Sequence, residues 1–242
     1  MPDQAQGRRF FQIAAILMAV VVFAGFARTF FLRPLFPDGQ ELAPPEPFFF
    51  YHGLVFSAWM VWLVLQTSLV QARRVQLHRT LGWVGVAIAA LLLVTGIYGA
   101  ALAAGRPGGF MGIDAPGEAF MVVPFTAALF FAIFVGLAVR YRQKVQHHKR
   151  FMLLATVNLL EAAIIRIPLD FIRDHAPLTS FGPALLFIVA LGVHDRRTLG
   201  RVHPVTLWGG IAIALSQPVA FGLVSGSAPW LAFSRWLSGL VA

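Results

Sequence analysis

The chain has 242 residues, of which 58% are hydrophobic and 12% are charged, and its formal net charge is +9. Because soluble domains carry about 25% charged residues, this composition excludes an ordinary soluble domain. The absence of cysteine excludes disulfides, iron–sulfur clusters and thiolate zinc sites.

Apolar runs of about 20 residues recur along the chain, and each can cross the hydrocarbon core of a bilayer as a helix. They predict an all-α membrane bundle, with residues 1–242 forming one transmembrane domain. The seven predicted spans cover residues 10–32, 48–70, 81–104, 119–139, 151–170, 180–194 and 204–224. The sixth span is short, which is also typical of a tilted or partial helix. Aromatic residues in 228–242 have the spacing of a short interfacial helix.

The first apolar run follows Arg8 and Arg9, as the core of a secretory signal peptide would. It is longer than such a core, and Arg28, Thr29 and further aromatic residues come after it. We therefore expect a retained span. Cleavage would leave six spans with the same orientation.

Basic residues concentrate in alternate loops. Thirteen of them lie before the first span and in the second, fourth and sixth loops: Arg8, Arg9, Arg73, Arg74, Arg79, Arg140, Arg142, Lys144, Lys149, Arg150, Arg196, Arg197 and Arg201. The opposite side has four. The positive-inside rule then predicts a bacterial cytoplasmic (inner) membrane protein with its N-terminus inside and its C-terminus outside. The basic balance indicates contact with membrane lipids rather than with nucleic acid.

Five histidines fall at or near the predicted cytoplasmic boundary. Neutral imidazole is a common ligand of haem iron and of first-row metals. Histidines from three loops therefore predict a site for haem b or a metal, with the cofactor-binding residues His78, His148, His194 and His203. The same pattern is typical of interfacial histidines with no ligand, and also of a site in which His and Arg together bind an anionic substrate.

The second span carries His52, Trp59, Gln66 and Arg73 at intervals of seven residues, which places them near one helix face. Polar groups in hydrocarbon turn toward partners, so we expect this face to pack inside the bundle. His52 and His78 are 26 residues apart. A continuous helix would separate them by about 39 Å, so they cannot share one iron.

The fifth span contains Asn158, Glu161 and Arg166, with Asp170 at its outer end. Ionisable groups at this depth are costly and face the bundle interior or a wet cavity. Arg166 and Asp170 are four residues apart and can pair on one face, whereas Glu161 needs a group on another helix or a proton. The pattern is typical of a structural ion-pair network and also of a proton or substrate site.

Three stretches of the chain carry a resemblance: YHGLVFSAWMVWLVLQTSLVQARRVQLHRTLG, HHKRFMLLATVNLLEAAIIRIP and HDRRTLGRVHP. They resemble a family of bacterial predicted multi-pass inner-membrane proteins of unknown function, and the likeness covers nearly the whole chain from residue 48. It implies a topology but no activity. A more distant likeness is to b561-type cytochromes, whose histidines bind haem at both membrane faces. This chain departs from that pattern because most of its histidines lie at one face.

The sequence contains no P-loop, dinucleotide fingerprint, H-E-x-x-H motif or nucleophile elbow, so it does not indicate an enzyme class. Three hypotheses follow. The first is a membrane protein that binds haem b or a metal at its cytoplasmic face. The second is a small transporter that uses Glu161 and Arg166. The third is a non-catalytic assembly or scaffold subunit whose partners are other membrane-protein subunits.

Overall fold

The structure, a computed structural model, describes residues 2–36, 47–110, 113–169, 171–172 and 178–241. These residues are helical or in turns and include no strand. Among them, five segments are long and apolar enough to cross a membrane: Gly7–Phe31, Pro47–Gln71, Val75–Gly105, Gly117–Arg140 and Pro204–Val224. They coincide with the first four predicted spans and the last one. The prediction of an all-α fold is confirmed for the described residues, and five of the seven predicted spans have the length and composition to cross a membrane.

The α-helices, in chain order, are α1 Pro2–Phe26, α2 Pro47–Gln71, α3 Val75–Gly105, α4 Gly117–Phe120, α5 Val122–Arg140, α6 Val145–Val157, α7 Glu161–Ile164, α8 Leu178–Leu199, α9 Pro204–Val219 and α10 Ala228–Gly239. Two of them continue as single turns of π-helix, α1 over Ala27–Phe31 and α9 over Ala220–Val224. The predicted interfacial segment 228–242 contains α10, whose Trp236 is exposed.

Contacts between the helices define two ends of the bundle. At one end, the Gln12 amide donates to the Ser68 hydroxyl at 3.1 Å, and the Arg142 guanidinium lies over the Trp83 ring. We call this the basic end, comprising residues 7–12, 66–83, 138–150 and 194–206. The predicted cytoplasmic loops lie there. At the opposite end, α10 packs against α3 and α4, and the Trp230 indole donates to the Glu118 carbonyl at 3.0 Å.

The central segment, residues 145–164, is the most buried part of the described chain. Leu154, Ala155, Val157, Leu160 and Ala163 have no exposed surface. The α-helix ends at Val157. The Asn158 amide still bonds four residues back, but the amides of Leu159 and Leu160 bond three residues back, which tightens the chain into a 3₁₀-like turn before α7. The predicted fifth span is therefore two helices joined by a turn, and the sixth predicted span lies within α8.

Close packing fixes the central segment against α1. A Cβ atom on Gly25 would lie 2.1 Å from the carbonyl oxygen of Ala163, far inside van der Waals contact. Only glycine at this position lets α1 approach the backbone of α7 so closely. The same packing buries Met18 and Val22 along α1. The central segment is thus held in one place relative to its neighbours.

Candidate functional site

The first turns of α3 and α6 bring His78 and His148 together at the basic end. Their ring centroids are 6.1 Å apart and their planes meet at 71°. The chain reverses between α5 and α6 through a tight turn in which the Lys144 amide bonds to the Tyr141 carbonyl at 2.8 Å. This reversal lays the start of α6 against the end of α5. Two of the four histidines predicted to bind a cofactor are therefore neighbours.

One ring nitrogen of His148 already has a hydrogen-bond partner. Its Nδ1–H donates to the carbonyl oxygen of Ala138 at 2.9 Å, so Nε2 carries the free lone pair. Burial lowers the pKa of His148, with the hydrogen bond to Ala138 opposing, and the ring is neutral at neutral pH. Metal-ligating histidines characteristically donate their other N–H to a carbonyl, which fixes the ring and its tautomer. His148 has this arrangement.

His78 and the neighbouring Gln66 carry polar atoms without partners. In the described part of the chain, the Nδ1 atom of His78 and both amide atoms of Gln66 are buried and make no hydrogen bond. The His78 ring lies beside the main chain of Gln66. Each buried polar atom left in this state costs about 1–3 kcal/mol. We call these three residues the open cluster, Gln66, His78 and His148, because it has unused hydrogen-bonding and ligating capacity.

The other two predicted ligands lie elsewhere at the basic end. The His194 ring stacks on Phe10, with centroids 4.1 Å apart. His203 caps α9, where its Nδ1 accepts a hydrogen bond from the Val205 amide at 3.1 Å. The His203 ring contacts His147 rather than His78 or His148. Among the described residues, no group of three or more His, Asp or Glu side chains could hold a metal ion.

A buried ion pair lies beside the open cluster. Arg150 and Asp195 have no exposed surface, and their guanidinium and carboxylate groups bond through two nitrogens of the arginine. The third nitrogen of Arg150 donates to the carbonyl and side-chain oxygens of Gln146, at 2.8 and 2.6 Å. We call Arg150, Asp195 and their hydrogen-bond partners the closed network. Every nitrogen of its arginine is bonded.

Asp195 completes the closed network by joining two further elements. Its Oδ2 atom accepts from the His203 amide at 3.1 Å and from the Thr206 hydroxyl at 2.6 Å. Burial would raise the pKa of Asp195, but hydrogen bonds from Arg150 and Thr206 outweigh it, and the pKa is lowered. The carboxylate is therefore ionised at neutral pH. It fixes α6, α8 and the start of α9 to one another.

His203 is neutral in this setting. Burial, followed by the positive charge of Arg150, lowers the pKa of His203 to about 4. A neutral ring is required for the cap on α9, because a protonated Nδ1 could not accept from the Val205 amide. His203 thus caps α9 within the closed network through Nδ1, whereas the sequence alone places it among the candidate ligands.

Sequence reasoning missed the Arg150–Asp195 pair as a site. The sequence places Arg150 among the basic-loop charges, although it precedes Leu154 and Val157 at intervals of four and seven residues. That spacing places the arginine on the buried face of α6. Asp195 likewise follows the buried Leu191 by four residues. Helical periodicity was therefore the signal that could have found both residues.

At the far end of the central segment, Asn158 is buried and donates to the Ala127 carbonyl at 2.6 Å. Glu161 is half-buried, and its carboxyl group has no hydrogen-bond or ion-pair partner among the described residues. The turn between α6 and α7 separates these two side chains. One predicted intramembrane polar residue is thus paired, and the other is not.

Arg166 follows α7 and is exposed. Its guanidinium donates to the Ala162 carbonyl at 2.6 Å and lies over the Phe26 ring. The predicted partner of Arg166, Asp170, lies outside the described residues. The structure therefore shows Arg166 bonded to its own stretch of chain and to an aromatic ring on α1.

The polar face of α2 turns toward neighbouring helices. His52 Nδ1 lies 3.0 Å from the Thr95 hydroxyl oxygen, and because that hydroxyl donates to the Leu91 carbonyl, the histidine is the donor. Trp59 is buried and donates from its indole to the Thr156 hydroxyl at 3.2 Å. These contacts tie α2 to α3 and to the central segment.

No protein family, curated protein or solved structure matches the chain.

Proposed function

We propose that the chain is a multi-pass protein of the bacterial cytoplasmic membrane that crosses seven times and binds haem b between His78 and His148. The two crossings beyond the five long apolar helices are the predicted fifth span, 151–170, which overlaps the central segment, and the predicted sixth span, 180–194, which lies within α8. The 22 residues of α8 extend about 33 Å, slightly more than the hydrocarbon core. The concentration of Lys and Arg at the basic end supports a cytoplasmic location for that end.

The spacing of the two imidazoles carries the haem proposal. With metal–nitrogen bonds of about 2.0 Å and ring nitrogens about 1.1 Å from the centroid, two imidazoles on opposite sides of one ion have centroids about 6 Å apart. The observed separation is 6.1 Å. The tautomer of His148 and the unpartnered nitrogen of His78 leave each ring a nitrogen for the ion.

Haem fits the residues better than a bare metal ion does. A bare ion needs further protein ligands, and the described residues supply no third His, Asp or Glu. Haem iron takes four ligands from the porphyrin and needs only axial ones from the protein. One turn along α3, a Cβ on Gly82 would meet no atom within 4 Å, which leaves open space on the side of His78.

The two histidines limit what the group could do. Bound haem would supply one-electron chemistry, and His78 and His148 would both be used in holding it, which would leave no place on the iron for oxygen or substrate. The chain holds the two rings at a fixed separation, and Ala138 fixes the tautomer of His148. We therefore propose electron transfer as the function.

Absorption spectroscopy and iron analysis test this proposal on full-length protein purified from haem-replete cells. We expect a Soret band and about one iron per chain. The variants His78→Ala and His148→Ala lose both. His194→Ala is the matched control, because its ring stacks on Phe10 at the same end and away from the pair. A colourless, iron-free wild type, or a band unchanged in both pair variants, would refute haem binding.

A second candidate function, proton-coupled transport, rests on Glu161. Its partnerless carboxyl lies where the chain turns between α6 and α7, and discontinuous helices in transporters place coupling sites at such breaks. Proteoliposomes containing a pH-sensitive dye measure proton entry. We expect entry with the wild type, loss with Glu161→Gln, and no change with Glu118→Gln, because Glu118 lies on α4 and outside the turn between α6 and α7. Equal proton entry for the wild type and Glu161→Gln would refute this role.

A further inference from the structure

A groove of about 440 Å³ lies along α8 at the basic end. It is lined by Val189, Gly192, Val193, Arg196, Arg197 and Val202. The lining is apolar except for the two arginines, which are adjacent on the last turns of α8. A Cβ on Gly192 would meet no atom within 4 Å, so the groove is open beside this residue.

The groove follows the outward face of α8. The opposite face buries Ala184, Leu191 and Asp195 against the bundle, whereas Leu186 and Val189 are 66% and 60% exposed. From Val189 to Arg196 the helix rises about 10 Å, which is a third of a hydrocarbon core of about 30 Å. In the proposed topology, the groove therefore extends from the membrane interface into one leaflet.

The two arginines have unused binding capacity. Arg196 and Arg197 are exposed, and their guanidinium groups make no hydrogen bond or ion pair within the described part of the chain. The neighbouring carboxylate, Asp195, points inward and is bonded to Arg150. It does not supply their counter-charge. Guanidinium groups bind phosphate through two parallel hydrogen bonds, so the mouth of the groove is suited to a phosphate.

We propose that this groove binds one anionic phospholipid, with its phosphate on Arg196 and Arg197 and an acyl chain along Val189, Gly192 and Val193. The apolar lining is the reason to assign a lipid rather than free phosphate, because phosphate alone would leave it exposed. The site depends on α8 crossing the membrane as proposed above. It does not depend on haem, and its test has a separate readout.

Native mass spectrometry of delipidated, detergent-purified protein tests the site with phosphatidylglycerol as the probe. Gly192→Leu fills the groove where no atom stands in the way, and Arg196→Ala combined with Arg197→Ala removes the phosphate ligands. Both changes should weaken phosphatidylglycerol binding about tenfold or more. Gly222→Leu, also in open space, and the paired Arg74→Ala and Arg79→Ala change, equally basic and exposed, should stay within about twofold of wild type.

Two further ligands separate the sources of a phosphate group. Phosphatidylcholine should bind more weakly than phosphatidylglycerol because its choline cancels the negative charge. Inorganic phosphate at the same concentration should not displace the lipid. Gel filtration of each variant confirms that it is folded. Unchanged lipid binding in both groove variants, equal binding of the two lipids, or displacement by inorganic phosphate would overturn the proposal.

Discussion

His148 and Arg150 are two positions apart on α6 and lie in opposite surroundings. Arg150 belongs to the closed network, in which all three of its nitrogens are bonded and both oxygens of Asp195 accept hydrogen bonds. His148 belongs to the open cluster, which has a free ring nitrogen on His148, an unpartnered nitrogen on His78 and an unpartnered amide on Gln66. The same helix turn therefore carries one saturated polar site and one unsaturated one.

This difference distinguishes a polar site that stabilises the fold from one that has atoms available for a ligand. A buried charge is tolerated only when an opposite charge and hydrogen bonds compensate it. A network in which every polar atom is bonded therefore stabilises the fold and has no donor or acceptor left for a ligand. An unsaturated cluster costs stability until a ligand or a metal-bearing group supplies the missing partners. We therefore assign the closed network to holding helices together and the open cluster to binding.

Breaking the closed network should have the largest effect. Asp195→Ala leaves the Arg150 guanidinium buried without its counter-charge, and we expect a loss of about 3–5 kcal/mol in the free energy of unfolding. Unfolding in a titration with SDS, followed by Trp fluorescence, measures this change.

Arg196→Ala is the control for that experiment, because Arg196 is the next residue on α8 and its side chain is exposed. It should change the free energy by less than about 0.5 kcal/mol. If Asp195→Ala were as mild as the control, the closed network would not be what holds α6, α8 and α9 together.

Removing one neutral donor from the closed network should have an intermediate effect. Thr206→Val keeps the shape of the side chain but deletes the 2.6 Å hydrogen bond to Asp195. Because hydrogen bonds to charged groups contribute about 1.5–3 kcal/mol, we expect a loss near 1.5 kcal/mol in the same titration. A stability equal to that of the wild type would show that the carboxylate does not need this donor.

The low pKa of His203 predicts a stability that depends on pH. Because the folded-state value of about 4 lies below the ordinary value near 6.5, the unfolded chain binds more protons between these limits. This contribution to stability is complete above about pH 6.5 and is lost as the pH falls toward 4. His203→Asn keeps a helix cap without titrating, so its melting temperature should fall less between pH 7 and 4.5 than that of the wild type. An equal fall in melting temperature in both proteins would show that His203 does not cause the pH dependence of stability.

The smallest effect on stability should come from the open cluster. Gln66→Leu replaces two unpartnered amide atoms with an apolar group of similar size, so the haem-free protein should be unchanged or up to about 1 kcal/mol more stable. The same variant tests the distinction between the two sites, because Asp195→Ala must behave in the opposite way. A marked loss of stability in Gln66→Leu would place Gln66 in a saturated network instead.

Hydropathy and charge were sufficient to predict the long apolar helices, because a span needs only length and an apolar composition. They did not predict the turn at Asn158, which depends on main-chain bonds that shorten from four residues to three. The predicted sixth span ended at His194, but α8 continues to Leu199 because a helix does not stop where its apolar residues do.

The candidate site was predictable only in part. The sequence placed four histidines at one end of the bundle but could not choose among them, because the choice depends on which helices meet there. The ring of His148 on α6 lies next to the ring of His78 on α3, whereas the ring of His194 stacks on Phe10. The partner of Arg150 is 45 residues away along the chain, beyond any local pattern.

Electron paramagnetic resonance of the purified, oxidised protein tests the central assignment most directly, because it reports the axial ligands of ferric haem. We expect the low-spin signal of an iron with two histidine ligands in the wild type and in Thr206→Val, and its loss in His148→Ala. A low-spin bis-histidine signal that persists unchanged in both His78→Ala and His148→Ala, or a wild type without haem, would contradict the account.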